Sequence, residues 1–196
     1  MTKPHAVPPE ARTLAVLVDN EPGVLARVVG MFSARGFNIE SLTVAETDKT
    51  AHASRITVVT RGEPLVIEQI KSQLERIVSV RRVIDVTLDP AGVQRELALV
   101  KVRSRGQDRV EALRVSDIFR AKVIDTTLES FIFEVTGSSE KIDAIVDLMR
   151  PLGLVEVSRS GVLSIHRGPE PDRLSTGADN APPIAIGQKA SHGDQR

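Results

Sequence analysis

The amino-acid sequence predicts an α+β protein made of two consecutive βαββαβ domains, each a four-stranded sheet with its helices on one face. Three observations carry that prediction. Short β-rich apolar runs alternate with segments whose apolar residues recur at three- and four-residue spacing. The order strand, helix, strand, strand, helix, strand is met twice along the chain. A Pro/Gly break at Asp89-Pro90-Ala91-Gly92 separates the two passes. The halves match in element order, not in residue identity.

In the first half, Arg12–Val18 reads as a buried strand, nearly all apolar. Asp19-Asn20-Glu21-Pro22-Gly23 is a turn, with proline where a helix can begin. Leu25, Val28, Val29 and Phe32 form one helical stripe, and Gly36 is a left-handed stop. Ile39–Thr47 and Arg55–Thr60 are strands around a turn at Asp48-Lys49-Thr50. Glu63-Pro64 opens a helix with the stripe Ile67, Ile70, Leu74 and Ile77, and the alternation of Arg82, Ile84, Val86 and Leu88 closes the half. In the second half the strands are Leu97–Val102, Lys122–Leu128 and Phe131–Thr136. The helices are Asp108–Phe119, of weaker periodicity, and Ser139–Leu152, with Ile142, Ile145, Val146 and Met149 on one face. Leu154–Ser158 and Val162–Ile165 are expected to form one strand bent around Gly161.

These readings divide the chain into a disordered extension 1–11, a first domain 12–88, a linker 89–94, a second domain 95–168 and a disordered tail 169–196. Both domains take the ferredoxin-like arrangement. A core of this size is marginal alone. A sheet with helices on one face leaves the other needing cover, so an obligate homodimer is expected.

Composition excludes several classes. Lys+Arg and Asp+Glu are both 26, so the formal net charge is zero and nothing marks a nucleic-acid or lipid partner. No cysteine is present, which removes disulfides, thiolate nucleophiles and cysteine metal sites. Met1–Arg12 is polar with three prolines, unlike a signal peptide. No apolar run approaches the roughly 18 residues of a membrane span. A soluble, cytoplasmic protein is expected.

Catalytic patterns are missing. His5, His52, His166 and His192 are scattered without metal-ligand spacing. There is no G-x-S-x-G, G-x-G-x-x-G or Walker loop. Asp19 and Glu21 could form an acid/base pair, but acids are simply favoured near a helix N-terminus. The same element order serves RNA-binding domains, copper carriers and acylphosphatases. Base stacking needs exposed aromatics, and Ser130-Phe131-Ile132-Phe133-Glu134 reads more cheaply as a core-facing strand. The C-x-x-C of a copper carrier and the glycine-rich, arginine-bearing loop of an acylphosphatase are lacking.

The informative stretch is DNEPGVLARVVGMFSARGFNIESL, from Asp19 to Leu42. Gly23 stands directly after a strand at the start of a helix, where free N–H groups can hold a carboxylate. Glycine also lets a ligand approach the backbone. Asn20 and Asn38 supply neutral amides that donate and accept. Val24, Leu25 and Ile39 could receive an aliphatic side chain. That set suits a zwitterionic aliphatic amino acid, although Asn-x-Pro-Gly is equally an ordinary turn.

Asp19-Asn20-Glu21-Pro22-Gly23-Val24-Leu25 after a strand resembles the opening of an ACT domain, a family of amino-acid-sensing βαββαβ modules. The run Phe32–Leu42 is more specific. With Arg95–Val102 and Phe119-Arg120-Ala121, it resembles the small regulatory subunits of acetohydroxyacid synthase, also called acetolactate synthase, over about residues 10–168. The resemblance implies an N-terminal ACT domain and a C-terminal ACT-like domain. It implies valine bound between paired ACT domains, feedback on branched-chain amino-acid synthesis, and activation of a large catalytic subunit. Asn20 and Gly23 would then lie in the effector loop, with Val24 and Leu25 giving backbone N–H groups. Asn38 and Ile39 would face that loop from the partner protomer. Thiamine diphosphate, magnesium and FAD are expected on the catalytic subunit, and no cofactor or metal in this chain. The family's loop commonly has a small residue where Pro22 stands, so donors must come from Gly23 onward. The competing reading is a stand-alone ACT sensor acting on another enzyme or a transcription factor.

Overall fold

The computed structural model describes residues 9–48 and 52–168. The tail 169–196 and residues 49–51, which include Lys49 and Thr50 of the expected turn, lie outside the described residues, as does most of the N-terminal extension.

The first domain is β1 (Glu10–Asp19), α1 (Val24–Ala34), β2 (Ser41–Asp48), β3 (Ala53–Gly62), α2 (Pro64–Leu74) and β4 (Val80–Asp85). Its strands are antiparallel in the order β2-β3-β1-β4, so β2 and β4 are the edges. The second domain is β5 (Gly92–Arg103), α3 (Gly106–Ile118), β6 (Lys122–Thr126), β7 (Ser130–Gly137), α4 (Ser139–Met149), β8 (Leu154–Arg159) and β9 (Leu163–His166). Its order is β6-β7-β5-β8, with β9 pairing β5 off that path. This is the predicted fold class, two ferredoxin-like α+β domains.

Alternation along β1 sends Leu14, Val16 and Val18 to the helices, where they join Val28, Phe32, Ile67, Ile70 and Leu74 in one core. The α1 stripe is Val24, Val28 and Phe32 rather than the expected Leu25, Val28, Val29 and Phe32. The helix begins immediately after Gly23, and the i, i+4 row from Val24 is the one that faces the sheet. Leu25 is left 39% exposed. The expected α4 face, Ile142, Ile145, Val146 and Met149, is buried throughout. Phe131 and Phe133 are buried in the same second core, so the aromatics that base stacking needs face the helices and not solvent. The expected stop at Gly36 is present, with φ 69° and the Phe37 N–H returning to the Phe32 carbonyl at 3.0 Å.

Three expectations need correction. β1 starts at Glu10, within the extension 1–11, because Glu10 pairs with Gly62. The linker 89–94 becomes 86–91, because β4 ends at Asp85, short of the expected Val86 and Leu88, and β5 starts at Gly92 and pairs there with β9. The expected strand bent around Gly161 is two strands. β8 pairs Ala98–Val102, whereas β9 pairs Gly92–Arg95 after a break where Gly161 takes φ 81°.

The two-stranded ribbon so formed, β9 with the first part of β5, changes the argument about sheet cover. It lies over the face of the first sheet opposite the helices. Thr13, Thr43 and Arg55, on three different strands of that face, reach Gln94, the Val162 carbonyl and Ser164. Ala15, Leu17, Ala53 and Val86 are buried there within the single chain. The first sheet therefore obtains much of its cover in cis.

Candidate functional site

The β1–α1 turn projects from one end of the first sheet. Gly23 is the N-cap of α1, at φ 83° and ψ −1°, a left-handed conformation that glycine adopts without strain. No side chain caps this helix. The Val24 N–H is taken by the Glu21 carbonyl at 3.2 Å, so one of the two expected amide donors is already used. Leu25 stands in the first turn, where amides have no acceptor within the helix. The Val24 side chain is in the core, and only Leu25 offers apolar surface outside it.

Asn20 is exposed beside this turn. Its backbone N–H donates to the His52 carbonyl at 2.7 Å, and its amide donates to Glu46 Oε1 at 3.3 Å. The acidic neighbours serve structure. Asp19 accepts from Arg81 Nε at 2.6 Å, and Glu21 accepts from the Ser79 hydroxyl at 2.9 Å and pairs with Arg27 at 3.3 Å. The acid/base reading of Asp19 and Glu21 has no support in these contacts. Neither Glu46 nor His52, weighed above only as a metal ligand, has a motif that points to this turn, and only strand pairing brings them to Asn20.

Asn38 and Ile39 sit elsewhere. The Thr60 hydroxyl donates to the Asn38 carbonyl at 2.6 Å, and the Glu40 N–H donates to the Val59 carbonyl at 2.8 Å. The Asn38 side chain is exposed, while Ile39 is half-buried against the core rather than in β2 as expected. Asn20 thus lies at the Ala53 end of β3 and Asn38 at the Thr60 end. Seven residues of strand span roughly 23 Å. Within one protomer, Asn20, Gly23, Val24 and Leu25 are together, and Asn38 and Ile39 are remote from them.

Among the described residues, no three His, Cys, Asp or Glu side chains come close enough to hold a metal ion. No helix there is long and apolar enough to cross a membrane.

The second domain's most buried charge is Glu96, which takes Arg159 Nε and Nη2 at 2.7 Å each and the Ser139 hydroxyl at 3.2 Å. Arg159 holds this carboxyl below the usual glutamate range, with Ser139 adding a further hydrogen bond. A second arm of Arg159 reaches Asp143 at 2.6 Å. The network ties β5 to β8 and the start of α4, a structural role.

Comparison with known proteins adds the following. Residues 14–82 match the model of the AHAS small subunit-like ACT domain, and residues 95–168 match that of the small subunit of acetolactate synthase. The acetolactate synthase small subunit of Mycolicibacterium smegmatis is 44% identical over 157 residues, covering 80% of this chain and 91% of that one. The isozyme 3 small subunit of Salmonella typhimurium is 46% identical over 158 residues, covering 80% and 96%. The crystal structure of the small subunit from Thermotoga maritima superposes with a TM-score of 0.72 at 36% identity, covering 81% of this chain and 98% of that one. The two halves and their order agree with one family over residues 14–82 and 95–168, and the chain belongs to the acetolactate synthase small subunits, the regulatory chains of that enzyme.

Proposed function

We propose that this chain pairs through its first domain, binds valine between two protomers, and so lowers the activity of an acetolactate synthase large subunit that it otherwise activates. The observation that carries the reading is the placement of the two asparagines. They are too far apart to grip one small molecule within a protomer, yet a two-fold pairing of β2 edges brings each to the other's counterpart. β2 is an edge strand with Val44 45% exposed on it. Antiparallel pairing about Val44 sets the Ser41 end of one β2 beside the Asp48 end of the next. Asn38 and Ile39 of one protomer then approach Asn20, Glu46 and Gly23 of its partner.

In that seam the Leu25 and Ala26 amides of α1 face the ligand's carboxylate, helped by the positive end of the helix dipole. Glu46 accepts from Asn20 and is placed to accept from the ligand's ammonium as well. Leu25 and Ile39 offer aliphatic contact. A site completed only by correct pairing has different affinities for paired and rearranged states, the condition for a ligand to shift an equilibrium. Such coupling is usually about 1–3 kcal/mol, or roughly 5- to 150-fold. Thiamine diphosphate, magnesium and FAD belong to the catalytic partner in this reading, which places the pair in the cytoplasm.

The test is titration calorimetry with valine, alongside activity of the chain reconstituted with the large subunit. Wild type binds valine and is inhibited by it. Gly23→Asp sets a carboxylate against the ligand's own, so valine affinity falls at least tenfold while activation without valine persists. Normal valine inhibition in that variant would refute the site.

A further inference from the structure

The contacts between the domains offer a direct route from one end of the first sheet to the second domain. Ser41 and Thr43 begin β2, two and four residues after Ile39, and both lie on the sheet face opposite the helices. They hold the backbone of one residue, Val162 just before β9, at both its N–H and its carbonyl. The Val162 N–H donates to Ser41 Oγ at 3.3 Å, and the Thr43 hydroxyl donates to the Val162 carbonyl at 3.1 Å. Gly161 makes the approach close. A Cβ at that position would meet Ser41 Oγ at 2.7 Å and Thr43 Cγ2 at 2.8 Å, and its φ of 81° is left-handed. Val162 itself is buried.

On the other side of this clasp, β9 pairs Gly92–Arg95 at the start of β5. β5 then runs on as a central strand of the second sheet, with Ala98–Val102 bonded to β7 on one side and β8 on the other. A continuous path runs from Asn38–Ile39 along β2 to Ser41 and Thr43, across the clasp to Val162 and β9, and along β5 into the second core. Each link is a hydrogen-bonded strand or a close steric contact, the kind of contiguous network that carries energetic coupling.

We propose that the clasp of Ser41 and Thr43 on the Val162 backbone relays occupancy of the effector site to the second domain, closed in one regulatory state and released in the other. This rests on the valine reading above. Ser41 and Thr43 are positioning residues, remote from any reacting atom.

The experiment uses the full chain reconstituted with the large catalytic subunit and compares wild type with the double variant Ser41→Ala, Thr43→Val. Both hydroxyls are only partly buried, and the second change keeps the side-chain shape. Three quantities are read: valine affinity by calorimetry, activation without valine, and residual activity at saturating valine. Affinity stays within about threefold and activation persists, while residual activity at saturating valine rises at least fivefold, the low end of ordinary coupling. Inhibition as complete as in wild type overturns the relay, as does parallel loss of valine binding, which would assign these hydroxyls to the site itself. Failure of the wild-type chain to bind valine defeats the effector reading and this one together. Binding with unchanged inhibition in the double variant defeats the relay alone.

Discussion

The two domains share one element order but treat the corresponding helix starts differently. In the first, α1 opens on a left-handed glycine without a side-chain cap, beside neutral Asn20. In the second, α3 also lacks a side-chain cap, but it follows Arg103 and Arg105, and Glu129 engages both arginines. α4 is closed more firmly still, by the Ser138 cap on Lys141 N and by Glu96 with Arg159. Open faces differ too. The first sheet carries the ribbon on its free face, whereas the second presents Lys101 beside Glu156 and Lys122 beside Glu134, charges suited to water. One fold thus serves a domain whose first helix opens beside a neutral amide and another whose helix starts are flanked by ion pairs. Function follows from what stands at these helix starts, not from the fold.

Several substitutions would break or sharpen that contrast. The largest effect is expected at Gly153, which takes φ 96° and whose added Cβ would fall on the Arg103 carbonyl. Gly153→Ala should destabilise the second domain by about 3 kcal/mol or more, combining overpacking with backbone strain. Denaturant unfolding reads this, and valine affinity at the first domain should be unchanged.

Glu96→Gln comes next. It removes a buried carboxylate from Arg159, which keeps Asp143 and is partly exposed, so about 1–3 kcal/mol is expected. The native carboxyl titrates below its unfolded value. Its contribution is therefore fully present above the usual glutamate range and is lost as pH falls through the lowered folded value. The stability gap between wild type and variant should close on acidification, as followed by urea midpoints between neutral pH and about pH 3.

The smallest effects compare helix ends. Gly36 ends α1 in a left-handed turn, and Arg120 takes φ 54° at the same place after α3, with the Ala121 N–H on the Ser116 carbonyl at 2.8 Å. Arg120→Gly should stabilise by about 0.5–1 kcal/mol and Gly36→Ala should destabilise by about 1 kcal/mol. Opposite shifts in unfolding midpoint bear this out, and equal signs would show that the two ends are not alike.

Much of this was legible beforehand because it depends on local pattern. The stripes of α2 and α4, the left-handed stop at Gly36 and the helix start after Gly23 follow from spacing and from glycine's freedom. What stayed hidden depends on chain segments distant in sequence. The separate strand β9 exists because Gly161 turns the chain onto Ser41 and Thr43, about 120 positions away. Glu46 joins Asn20 only through the pairing of β2 with β3 and β3 with β1. Arg120 in a left-handed turn has no signature, since arginine is a poor choice there.

The central claim, a valine site shared by two protomers, is tested most directly by mixing variants. Asn20→Ala and Asn38→Ala are each prepared as homodimers, then dissociated and reassembled into mixed dimers, with valine stoichiometry measured by calorimetry. A shared site predicts that each homodimer binds weakly, while the mixed dimer regains one full-affinity site, because one seam contains both damaged residues and the other contains neither. Mixed dimers that bind no better than the two homodimers would place both asparagines in one protomer's site, contradicting the account.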